Sequence, residues 1–101
     1  MTKSNFKAYL KKQGQSIGKY YPKGKALGLN AINDIIMWAN RVERLFDLNL
    51  DVIAQGSKET QELLKKINHS NLVSDKQKRN YSGAVRAYFE FINGHVLPSE
   101  Q

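Results

Sequence analysis

The chain has 101 residues, 41% of them hydrophobic, a formal net charge of +7 and no cysteine. That length supports one hydrophobic core and not comfortably two, and the lack of cysteine excludes a disulfide framework or a thiolate metal site and fits a reducing, cytoplasmic setting. No uncharged run is long enough to cross a bilayer and no continuous apolar segment follows the N-terminal lysines, so neither a membrane span nor a secretory signal is expected.

Apolar residues recur at three and four rather than two along most of the chain, which predicts an all-α fold, a compact bundle of four to five helices in a single domain over residues 1–101. Ser4 is placed to cap a first helix over 5–13, with Phe6, Tyr9 and Leu10 on its inner stripe and Gly14 ending it. On its other side Lys3, Lys7 and Lys11 repeat every four residues. Like charges at that spacing repel by roughly 0.2–0.5 kcal/mol per pair, so the stripe is either solvated or awaiting an anion.

The next stretch, GQSIGKYYPKGKALGLN, holds Gly14, Gly18, Gly24, Gly28 and Pro22, a density of breakers that predicts a loop with one short turn around 17–21. Tyr20 and Tyr21 stand among Lys19, Lys23 and Lys25. Rings interleaved with cations suit a phosphate backbone with a base or sugar beside it. They equally suit a loop that tucks one tyrosine into the core.

A central helix is predicted over 30–47, where Ile32, Ile35, Ile36, Ala39, Val42 and Phe46 form one stripe that Trp38 and Leu45 widen. A short turn over 50–54 follows, and Gly56-Ser57 opens another helix to about residue 68 with Leu63, Leu64 and Ile67 inward. Residues 68–73 read as a connector.

Ser74 and Gln77 form a capping-box pattern, so the last helix should start at Asp75 and end near Asn93, with Gly94 as a left-handed cap and Pro98 beyond it. At 100° per residue Tyr81, Val85, Tyr88 and Ile92 share a core stripe flanked by Ala84 and Phe89. The opposite face carries Lys76, Arg79, Gly83 and Arg86, with Ser82 at its edge. Lys76, Lys78 and Arg79 occupy the positive end of the helix dipole, where an unneutralised cation costs about 0.3–1 kcal/mol. Bound phosphate would remove that cost, because the helix N-terminus and the basic side chains then face one anion. Gly83 is about 1 kcal/mol worse than alanine inside a helix. Between Arg79 and Arg86 its missing side chain lets a sugar-phosphate backbone approach, unless it serves close contact with another helix or simply lies on a solvated face.

The charges are unevenly distributed. Residues 1–33 carry seven lysines and no acid, residues 34–75 carry seven acids against five bases, and from Lys76 onward four bases face two acids. Should the two basic ends meet, they would form one positive surface of the kind that binds nucleic acid.

NFKAYLKKQGQS near the start, the long apolar helix in the middle and NYSGAVRAYFEFI near the end resemble the helical, SAM-like core-binding domain that forms the N-terminal part of tyrosine recombinases and phage integrases. Similar modules precede the nuclease domain of some restriction endonucleases. The matching positions are Phe6, Tyr9, Leu10, Gly14 and Ser16, then Asn80, Tyr81, Ala84, Arg86, Tyr88, Phe89 and Phe91. The resemblance implies a bundle of four helices clamping one side of duplex DNA, with Lys19, Lys76, Lys78, Arg79 and Arg86 as backbone contacts. It also implies that this chain is the DNA-holding module alone, a fragment or a stand-alone relative. Family members run from the serine turn directly into their second helix, whereas here residues 18–28 intervene.

No catalytic set is evident. His69 and His95 lack a second ligand at metal spacing, and Gly14, Gly18 and Gly24 follow no strand as a nucleotide-binding loop would require. Neither an enzyme nor a cofactor is expected. The favoured reading is a duplex-DNA-binding module using Lys19, Tyr20, Lys23, Lys25, Lys76, Lys78, Arg79, Ser82, Gly83 and Arg86. The alternative is a protein-interaction domain whose basic surface meets an acidic partner or neighbouring domain, with Trp38 and Phe91 as exposed anchors. RNA and single-stranded DNA are further alternatives, because cations and tyrosines serve them too.

Overall fold

Burial follows the helical periodicity of each long segment. The computed structural model describes residues 3–13 and 29–98, and these contain five α-helices and no strand. They are α1 (Ser4–Gln13), α2 (Leu29–Phe46), α3 (Leu50–Ile53), α4 (Ser57–His69) and α5 (Asp75–Asn93). The all-α expectation and the helix count are met, and the radius of gyration of 12.8 Å is near the ~13 Å of a compact chain this long.

Helix α1 buries Phe6 and Leu10 completely, a contribution of roughly 1.5–3 kcal/mol each. It starts one residue earlier than predicted. The Lys7 amide donates to the Lys3 carbonyl at 2.9 Å, so Lys3 rather than Ser4 stands at the cap. Helix α2 buries Ile32, Ile35, Ala39 and Val42, with Ile36, Trp38 and Phe46 half-buried against the same core. Leu45 departs from the predicted face and lies exposed. The helix closes on Asp47, which takes the left-handed φ of 51° usually given to glycine while the Leu48 amide donates to the Glu43 carbonyl at 3.0 Å.

Glu43 joins three elements. Its Oε1 accepts from Lys3 Nζ at 2.9 Å and its Oε2 accepts from the Leu50 amide, also at 2.9 Å, at the start of α3. The Lys3 ammonium also lies 5.4 Å from the centre of the Tyr88 ring. Lys3 is therefore turned inward, unlike the solvated or anion-seeking stripe predicted for it with Lys7 and Lys11. The periodicity misplaced it because an acid forty residues away supplies its partner.

Helix α4 turns Leu63, Leu64 and Ile67 inward with Thr60, whose hydroxyl lies 2.7 Å from the Gly56 carbonyl oxygen and 3.2 Å from that of Ile53. Helix α5 has the predicted bounds. Both halves of the Ser74/Gln77 capping box form, and Gly94 has φ 79°. Tyr81, Ala84, Val85, Ala87, Tyr88 and Phe89 are buried along its inner side, where α2 and α4 pack. Helix α1 docks on its last turns through rings: Phe6 lies 4.6 Å from Tyr88 and Tyr9 lies 5.4 Å from Phe91, centre to centre. The Asn93 amide donates to the Ala54 carbonyl at 2.6 Å and fastens the end of α5 to α3.

Candidate nucleic-acid interface

The outward side of α5 is built by subtraction, since six buried residues take one side of the helix and leave the other to solvent. Lys76, Arg79, Gly83 and Arg86 are all exposed. Helical geometry places them within an arc of about 80° and along roughly 15 Å of axis. A Cβ added to Gly83 would meet nothing within 4 Å. Among the described residues no other helix packs against this glycine, and the space beside it lies open between two arginines. Lys76, Arg79 and Arg86 have no ion-pair partner among the described residues.

Two predicted contacts sit differently. Lys78 is turned about a third of a turn from this face, is half-buried, and holds its Nζ 3.8 Å from Oδ1 of the fully exposed Asp75. An ion pair so open to water contributes about 0–1 kcal/mol and leaves the ammonium largely available. Ser82 is half-buried, and its Oγ is shielded from solvent without a hydrogen-bond partner. The capping box modifies the expected role of the helix end. The Gln77 amide donates to Ser74 Oγ at 3.2 Å and the Ser74 amide donates to Gln77 Oε1 at 3.1 Å. Two of the four N-terminal amides are thus taken, and those of Asp75 and Lys76, with no acceptor among the described residues, are left to attract an anion alongside the side chains.

Arg86 lies at the edge of a shallow pocket of about 90 Å³ shared with Gln61, Leu64, Lys65 and Asn68 of α4 and with Leu97 and Pro98. Lys65 therefore adds a cation beside the α5 face. Gln61 Nε2 donates to the Pro98 carbonyl at 2.9 Å and holds the C-terminal segment against α4.

On another flank of α5, Gln77 and Tyr81 line an open cleft of about 430 Å³ with Arg41, Arg44 and Leu45 of α2 and with Leu72. Sequence reasoning missed these two arginines, because residues 34–75 are acidic on balance. Their i,i+3 spacing puts them on one side of α2 but does not say what that side faces.

Lys19, Tyr20, Lys23 and Lys25 lie outside the described residues. Among the described residues, α1 meets α5 through aromatic rings rather than through cations. The contact falls at Tyr88 and Phe91, roughly 20 Å along the axis from Lys76. The lysines of α1 thus approach the far end of α5 from its densest cations. Among the described residues no three of His, Asp and Glu converge as a metal site, and His95 lies edge-on to Phe89 at 5.5 Å.

Comparison with protein-family models, with curated proteins and with solved structures finds no match for this chain.

Proposed function

We propose that this chain is a duplex-DNA-binding module that grips mainly the phosphate backbone. Lys76, Arg79 and Arg86 make the contacts around Gly83, Lys78 and Ser82 flank them, and Lys19, Tyr20, Lys23 and Lys25 contribute from the segment between α1 and α2. The reading takes the bundle to be of the SAM-like core-binding type, as in integrase core-binding domains or the N-terminal modules of restriction enzymes. It assigns no catalytic step and no cofactor.

One observation carries it: three cations with no ion-pair partner among the described residues border a mid-helix glycine whose missing side chain leaves open space. A solvated face would gain about 1 kcal/mol from alanine there, so glycine is better explained by something that approaches the helix. The competing protein-interaction reading asked for Trp38 and Phe91 as exposed anchors. Both are half-buried against the core, and Phe91 lies 5.4 Å from Phe6 and from Tyr9.

The test is a fluorescence-anisotropy titration with a labelled random duplex at two salt concentrations, against a single-stranded competitor. With about five phosphates neutralised, log affinity should fall with log salt at a slope near −4 to −5. Absence of duplex binding at low salt, or preference for the single strand, would overturn the reading.

A further inference from the structure

The cleft between α2 and α5 is chemically unlike the outward face of α5. Arg41 and Arg44 are exposed at its edge, and neither makes an ion pair or hydrogen bond among the described residues. Tyr81 has its ring in the core, at 5% exposure, yet lines the cleft, and its hydroxyl has no hydrogen-bond partner among the described residues. Leu45 and Leu72 complete the lining at 38% and 77% exposure. Leu72 precedes the buried Val73 in the connector, so the backbone that anchors Val73 also presents Leu72 outward.

Two unpaired guanidinium groups, a phenolic hydroxyl and two exposed leucines form a combined anionic and apolar receptor. A phosphate backbone would satisfy the arginines but leave the leucines in water. A small anion would leave most of the volume unfilled. From this charge and apolar complementarity we infer that the cleft docks an acidic peptide segment of a partner protein, with carboxylates on Arg41 and Arg44 and one apolar side chain between Leu45 and Leu72. Arginine suits this role because its planar fork takes a carboxylate in a bidentate grip. Gln77 and Arg86 are about 180° apart around α5, so this surface is separate from the DNA-facing one and the chain can hold both ligands together.

The test uses the full chain and a fluorescein-labelled peptide in which glutamates flank a single leucine, with a matched peptide carrying serine instead. The Glu-Leu peptide should bind, and the R41A/R44A double variant should weaken it by about tenfold or more. Leu72→Ser should reduce binding of the leucine peptide and not of the serine peptide, while R79A/R86A should leave both unchanged. Circular dichroism of each variant checks that the bundle is intact. Equal binding of the two peptides would reduce the effect to unspecific charge and overturn the inference. So would no binding at low salt, or competition by duplex DNA together with a flatter salt slope in R41A/R44A, which would assign the arginines to the DNA. Failure of the duplex titration alone would leave the peptide result standing, because the two experiments read different ligands.

Discussion

The hydroxyl of Tyr88 donates to Oδ1 of Asp51 at 2.5 Å, joining residues 37 apart in sequence. Tyr88 is fully buried on α5, Asp51 sits in the first turn of α3, and the other carboxylate oxygen of Asp51 is shielded and unpaired. Among the described residues the Tyr88 hydroxyl is the one hydrogen-bond donor to that carboxylate, and through it the short helix α3 is tied to α5. Burial pushes the tyrosine pKa well above its ordinary value, and the Asp51 carboxylate, by hydrogen bond and charge, pushes it further.

Because the folded state holds the Tyr88 proton more tightly than the unfolded chain, this stabilisation is complete below the ordinary tyrosine value near 10 and is lost as pH rises above it. Urea melts at several alkaline pH values should show stability falling in that range. Tyr88→Phe should lose about 1.5–3 kcal/mol at neutral pH, the size of a hydrogen bond to a charged group, and show a shallower alkaline decline. Parallel alkaline slopes in the two proteins would separate Tyr88 from the effect.

Glu43 accepts from two donors, whereas Lys3 has one acceptor among the described residues, so the two are not equivalent. Glu43→Ala should cost about 2–3 kcal/mol by leaving both the Lys3 ammonium and the Leu50 amide without an acceptor. Lys3→Met keeps the apolar stem and leaves Glu43 bonded to Leu50, and should cost less than half as much. Thermal denaturation of both variants checks the order.

Gly83→Ala separates stability from binding. With open space for the added methyl group, the variant should be more stable by about 1 kcal/mol in urea melts. Its duplex affinity should fall if the sugar-phosphate backbone seats against the helix there. Unchanged affinity with raised stability would show that the glycine does not admit the backbone.

Arg79 and Arg86 should each neutralise about one phosphate. The double alanine variant is expected to flatten the plot of log affinity against log salt by about two units, with stability changed by less than about 0.5 kcal/mol because both side chains are exposed. An unchanged slope would remove both from the interface.

The long helices and most of their inward sides were legible in the amino-acid pattern alone. Period, caps and breakers are local signals, so α5 could be bounded from Ser74, Gln77 and Gly94, and its outer cations could be read from 100° steps. Placing Lys76, Arg79, Gly83 and Arg86 on one exposed side needed no knowledge of the partner helices. The tertiary structure alone decided which distant groups meet. Lys3 left its predicted stripe for Glu43, Tyr88 found Asp51, and Arg41 and Arg44 came to face Gln77 and Tyr81 across a cleft despite an acidic surrounding sequence. A helix's own spacing states which residues share a side, but which element that side meets is set by how the apolar stripes pack together, a sum over the whole core that no single segment carries.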